Sequence, residues 1–292
     1  MLQNDPMKTP LTDAPLTDAP VVETPPEPEP EKNRAALAPV WHTAVLVIGI
    51  AAISVRGSTQ MTGRMASGHF VPDRMLTYGM TALMELLMLG WVVFGLRLRK
   101  IPLRTLIGST SGGMRALMQD AGVALVFWLM SLMVLGTVGV VWTGVEAAVT
   151  HKLPEIRAGK PIAPSAEQRK TLRVLSQLAP TNGEEVAGWV LLCLLVGFVE
   201  ETVFRGYLQQ QFTAWAHGAD VAGVVFSALA FGSAHGYEGA RSMVLLAVFG
   251  ALFSLLALYR RGLRACMFAH SWHDLIAGLT IAFLSTHHLL GT

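Results

Sequence analysis

Glutamate, histidine and aspartate interrupt three otherwise apolar stretches in the last third of the chain, a combination equipped to activate water for hydrolysis. Ionisable side chains inside a membrane are unfavourable, so they are retained where they pair or do chemistry. The first stretch, LLCLLVGFVEETVFRGYL, carries Glu200, Glu201 and Arg205 at the end of an uncharged run. Neighbouring positions on a helix diverge by about 100 degrees, so the two glutamates do not share a face, whereas Glu201 and Arg205, four apart, pair. Glu200 is then the free carboxylate, suited to act as a base beside a histidine. A helix end at the membrane interface, with an ordinary surface ion pair, is the competing reading. The second stretch, FSALAFGSAHGY, sets Phe231 and His235 four apart on one face, with small residues Gly223, Ser227, Ala230 and Ala234 admitting a close neighbour. Alone, a histidine at a helix end reads as structural. The third, YRRGLRACMFAHSWHDLIAGL, places His270 and Asp274 four apart, with His273 displaced around the helix and a weaker candidate. An interfacial loop is its bland alternative. The three stretches mean more together than singly.

The elements that must position these residues are read from composition and run length. Of the 292 residues 52% are hydrophobic and 14% charged, against roughly 25% charged in a soluble domain. That deficit names lipid as the main solvent. A net charge of +2, with Lys and Arg mostly flanking apolar runs, excludes nucleic acid as a partner. Seven apolar runs stand against the roughly 20 residues that span a bilayer: about Pro39 to Val55, Met75 to Leu96, Ala121 to Val145, Val186 to Tyr207, Val221 to Gly236, Ser242 to Tyr259, and Ala265 to Ser285. The expectation is an all-α, polytopic membrane protein of about seven transmembrane helices, with the active site among the last four. Backbone groups in hydrocarbon must bond internally, and no ten-residue alternation suggests a barrel. Cys193 and Cys266 lie inside apolar runs, away from any metal or redox spacing, and read as buried reduced thiols.

Three regions follow. Residues 1–38, Pro-rich and acidic with a tandem LTDAP repeat, read as a disordered tail without the opening of a signal peptide, so that the first apolar run is a retained anchor. Residues 39–185 hold the first membrane helices and a polar joint, and residues 186–292 the catalytic helical core. Arg97, Arg99, Lys100, Arg104 and Arg115 crowd the joint after the second run, and Arg260, Arg261 and Arg264 follow the sixth. The positive-inside bias places both joints and the N-terminus in the cytoplasm, in a bacterial inner membrane. The joint from Glu146 to Glu185 then falls outside despite Lys152, Arg157, Lys160, Arg169, Lys170 and Arg173. An amphipathic surface helix around Glu167 to Leu178 accounts for that charge.

These motifs resemble the CAAX protease and bacteriocin-processing membrane proteins, the Abi family, which includes the type II CAAX prenyl endopeptidases. The family pattern is Glu-Glu-x-x-x-Arg, then Phe-x-x-x-His, then His-x-x-x-Asn or Asp. Here it reads EETVFR at Glu200 to Arg205, FGSAH at Phe231 to His235 and HSWHD at His270 to Asp274, in order, and the likeness covers about Val186 to Leu284. The resemblance implies an intramembrane endopeptidase acting on a membrane-associated or lipidated peptide or protein. Glu200 and His235 would activate the water, His270 and Asp274 would stabilise the oxyanion, and Glu201, Arg205 and Phe231 would support the site. An ionised Asp274 would repel an oxyanion, so it must be protonated, orient His270, or help bind a cation. A glutamic mechanism without metal or cofactor is expected, because no His-Glu-x-x-His helix is present. The alternative places zinc on Glu200, His235 and His270. Two other functions stay open: a non-catalytic membrane partner or bacteriocin-immunity protein, and a transporter whose best witness is Glu85, a residue that an interhelical hydrogen bond explains as well. The oligomeric state is not legible.

Overall fold

A chain that meets lipid must close its own backbone hydrogen bonds, and every regular element found is helical. The computed structural model describes residues 35–66, 73–108, 112–159 and 164–289. In order these form α1 (Val40–Ala66), α2 (Arg74–Leu98), α3 (Arg104–Ile107), α4 (Gly113–Val149), α5 (Leu153–Arg157), α6 (Ala166–Leu178), α7 (Gly183–Glu200), a π-helical stretch (Glu201–Leu208), α8 (Gln209–Trp215), α9 (Asp220–Ala234), a 3-10 turn (Gly236–Glu238), α10 (Ala240–Arg260) and α11 (Arg264–Thr286). The tail expected over residues 1–38 lies outside the described residues except for its last four. Of those, Leu37 and Ala38 are pinned: both backbone N–H groups donate to Gln211 Oε1, at 2.7 and 3.2 Å, and Gln211 Nε2 donates to the Ala38 carbonyl at 2.8 Å.

Among the described residues, five segments are long and apolar enough to cross a membrane: Val40–Thr59, Arg74–Leu98, Gly113–Val149, Gly183–Trp215 and Ala240–Arg260. Seven were expected. The fifth run folds as the 15-residue α9, about 22 Å long at the α-helical rise and short of the roughly 30 Å hydrocarbon core. The seventh, α11, carries the ionisable residues of the third motif and is not among the five. The first run is longer than expected, since α1 continues past Val55 to Ala66. A helix needs no apolar sequence to persist once it leaves the hydrocarbon, because its hydrogen bonds are internal. The lipid-facing pattern is apolar outside and polar inside: Met133, Val140 and Val221 are exposed, while Glu201, Arg205, Gln211 and His42 are buried. The protein is an integral membrane protein.

The two ends of the bundle differ. At one end α1 begins, α2 ends, and α10 turns into α11. There Asp120 near the start of α4 accepts from Arg260 and makes an ion pair with Arg264, both at 2.6 Å, and the Ile107 carbonyl receives Leu263 N–H at 3.0 Å. The other end is crossed by α6, which covers the expected amphipathic stretch. Its N-terminus has a capping box between Ser165 and Gln168, worth about 1 kcal/mol. Three bonds tie α6 down. Thr171 Oγ1 donates to the Glu238 carbonyl at 2.6 Å, Glu167 Oε1 accepts from Arg241 N–H at 3.1 Å, and Tyr78 Oη donates to the Leu178 carbonyl at 2.6 Å. Between the ends, the continuous column of α7, the π-helical stretch and α8 is packed by α2, α9 and α11.

Candidate active site

The π-helical stretch begins at Glu201, immediately after the last α-helical residue, Glu200. Such i to i+5 segments are rare, and they recur at functional sites. All eight residues from Glu201 to Leu208 are buried, and the Phe204 carbonyl is held by Ser227 Oγ of α9 at 2.7 Å. Gly197, one turn before Glu200, is where α7 meets α11: a β-carbon there would overlap Ser271 Oγ. This close approach brings the first motif against the third.

His270 is the meeting point. Its Nδ1 lies 2.7 Å from Glu201 Oε1, and since a carboxylate accepts, the ring donates there and directs Nε2 to the other side. Nε2 stands 3.6 Å from Glu200 Oε2 and 3.6 Å from Asp274 Oδ2, beyond hydrogen-bond length. Adjacent glutamates on diverging faces thus engage opposite edges of one imidazole. Glu201 Oε1 also receives Arg205 Nη1 at 2.9 Å. The guanidinium is completed by a bond from Nη2 to the Gly250 carbonyl at 3.3 Å and by the rings of Phe231 and Phe253, whose centroids lie 4.3 and 5.0 Å from its central carbon. An arginine stacked in this way retains favourable contacts after leaving water. Phe231 also packs edge-on to Phe204 and His270, with centroids 5.1 and 6.0 Å away.

His235 approaches from α9. Glu200 lies midway along the Gly183–Trp215 column, and His235 directly follows the last residue of the 15-residue α9. The His235 Nδ1 lies 2.9 Å from its own Phe231 carbonyl. A carbonyl only accepts, so Nδ1 carries the hydrogen and Nε2 keeps a free lone pair. No hydrogen bond joins His235 to Glu200 among the described residues; the imidazole brought to Glu200 is that of His270. His235 acts electrostatically on Asp274 and on Glu238. His273 is turned away and packs on Phe249, centroids 4.7 Å apart. Glu200, His235 and His270 do not form a ligand cage: among the described residues no three His, Cys, Asp or Glu side chains are grouped to hold a metal ion. Cys193 and Cys266 are buried free thiols.

A family model described as "Type II CAAX prenyl endopeptidase Rce1-like" matches residues 182–276, a range that holds all three motifs. The matched segment, about a third of the chain, is similar to the CAAX protease family. No curated protein and no solved structure matches the chain. That description names an endopeptidase, and the site just described lies inside the matched range, with Glu201, Arg205, Phe231 and His270 buried and Glu200, His235 and Asp274 partly exposed.

Two features escaped the sequence reading. Glu238, in the 3-10 turn directly after His235, interacts electrostatically with His235 and Glu200, and its place just beyond the Phe-x-x-x-His motif was the available signal. Glu85, weighed only as a transporter residue or an interhelical hydrogen-bond partner, is 8% exposed. Its Oε2 receives no hydrogen bond.

Proposed function

We propose that this protein is an intramembrane endopeptidase of the glutamic type, with Glu200 as the base that activates water. The observation that carries this reading is the cluster in which buried His270 is gripped by Glu201 on one nitrogen and faced by the partly exposed Glu200 and Asp274 on the other. Glu200 Oε2 is buried and has no hydrogen-bond partner, which leaves it able to take a proton from water. The water oxygen bonds to the scissile carbonyl carbon as its proton passes to Glu200. When the tetrahedral intermediate collapses, the C–N bond breaks and that proton goes to the leaving amine. His235, with Nδ1–H tied to Phe231, offers Nε2 as a second acceptor for the attacking water. His270, as an imidazolium whose Nδ1–H is held by the Glu201 carboxylate, donates to the oxyanion from Nε2. Of the three roles open to Asp274, the 3.6 Å approach to His270 Nε2 supports orientation of that ring. Glu201, Arg205 and Phe231 fix the geometry.

The matched family's name points to a prenylated C-terminal Cys-aliphatic-aliphatic-X segment as the first substrate class to test. The end bearing Arg97, Arg99, Arg260 and Arg264 faces the cytoplasm by the positive-inside bias, which sets the start of α1, and hence the N-terminus, on the same side of a bacterial inner membrane. The test compares the membrane proteome of a parent strain with that of a Glu200→Gln strain. One membrane-associated species left uncut in the variant is the expected result. With purified protein the same change should lower turnover by about 10²–10⁴-fold while protein level and melting temperature hold. Unaltered cleavage by Glu200→Gln sinks the proposal and favours a binding role.

A further inference from the structure

Glu85 sits on α2, outside the segment that matches the family. It is 8% exposed, and its Oε2 is buried with no hydrogen-bond partner. The groups that act on it electrostatically are Glu200, His270 and Asp274, the members of the proposed site contributed by α7 and α11. An interhelical hydrogen bond therefore does not explain this carboxyl. Leaving a buried carboxyl oxygen unpaired is destabilising, and Glu200, one of the groups that act on Glu85 and carried by the helix α7 on which α2 packs, also has a buried oxygen without a partner. Two neighbouring carboxyls in an apolar bundle are retained where they share a proton or a hydrogen-bond donor, or where the site makes a functional demand on them.

We propose that Glu85 is a positioning residue of the active site, reaching across from α2 to fix, together with Glu200, the water that attacks the peptide bond. One of the water's two hydrogens goes to Glu200, which takes the proton, and the other is shared between Glu85 and His235 Nε2. Glu85 holds the oxygen on line for the carbonyl carbon. This role rests on the protease reading above and adds a residue that the three motifs do not contain. It predicts a particular pattern: loss of the carboxyl harms turnover and leaves folding untouched or improved, because an unsatisfied group has been removed.

The experiment uses the full chain in detergent, with a quenched-fluorescence peptide ending in a prenylated Cys-aliphatic-aliphatic-X sequence. Wild type, Glu85→Gln, Glu85→Met and Glu200→Gln are measured for kcat, KM and melting temperature. Both Glu85 variants are expected to lose about 10- to 100-fold in kcat with KM within about threefold of wild type, and to melt at or above the wild-type temperature. Full turnover in both variants while Glu200→Gln is inactive overturns the role of Glu85 and leaves the protease reading intact. A fall in melting temperature in both variants also overturns it, because Glu85 would then be a structural bond. If wild type and Glu200→Gln behave alike toward the peptide, the protease reading fails and the positioning role fails with it.

Discussion

Two buried histidine clusters lie along the same column of helices and are built on opposite principles. Around His42 every polar atom finds a partner. Its Nε2 donates to the Trp91 carbonyl at 2.8 Å, its Nδ1 accepts from Tyr207 Oη at 2.9 Å, and that hydroxyl in turn accepts from Thr43 Oγ1 at 2.7 Å. The ring also stacks on Trp91, centroids 4.7 Å apart, and Trp91 Nε1 donates to the His42 carbonyl at 3.2 Å. Around His270 the opposite holds: Glu200 Oε2, Glu201 Oε2, Glu85 Oε2 and Arg205 Nε are all buried without a hydrogen-bond partner. A satisfied network specifies a unique packing, whereas open valences in an apolar bundle are retained for what they do to a bound molecule. Burial of a histidine thus says little by itself; the state of its neighbours separates a structural residue from a working one.

The contrast breaks most severely at Glu201, which belongs to both categories. Its Oε1 holds Arg205 and His270 at once, while Oε2 is open. Glu201→Ala leaves the buried Arg205 charge uncompensated, so the folded state should lose about 3–5 kcal/mol. Turnover should fall as well, since His270 loses the carboxylate that orients its ring. Denaturation curves beside peptide cleavage check this, and a variant with normal stability would remove Glu201 from the supporting framework.

A milder change sharpens the comparison from the satisfied side. Tyr207→Phe removes the hydroxyl shared by His42 and Thr43, leaving both without that partner, and should destabilise by about 1–3 kcal/mol. The folded fraction should keep its wild-type kcat and KM. A specific loss of kcat at full stability would show that the His42 cluster communicates with the site, contrary to the division drawn here.

The sequence disclosed one side of this division better than the other. The three motifs, the Glu201–Arg205 pairing and the amphipathic α6 were readable because each depends on helical spacing alone. The π-helical stretch was not: nothing in the types of Glu201 to Leu208 signals i to i+5 bonding, which is decided by packing against α9 and α11. The partner of Glu200 was likewise hidden. Spacing predicted that adjacent glutamates diverge, yet an imidazole presents nitrogens on two edges, so His270 lies between both while His235 turns Nδ1 to its own helix. Glu85 was visible as an ionisable residue in an apolar run, but its neighbourhood depends on how α2 packs on α7. Of the seven expected spans, five are long and apolar enough among the described residues; α9 has only 15 residues and ends at His235, and α11 carries the polar third motif.

The smallest effect is expected at the rim, where Glu238 follows His235 and its backbone carbonyl receives Thr171 of α6. Burial is the largest influence on this carboxyl and holds it above its ordinary value, with His235 drawing it back. The folded protein therefore binds this proton more firmly than the unfolded chain does. Its contribution to stability is complete below the unfolded glutamate range and is lost as pH rises through the folded value. Glutamine has no proton to lose, so wild type should weaken relative to Glu238→Gln as pH climbs from the ordinary carboxylate range. Melting temperatures of the pair across a pH series read this directly. A gap that stays constant with pH would mean that Glu238 is solvated like a surface residue, and the boundary of the open cluster would then have to be drawn at His235.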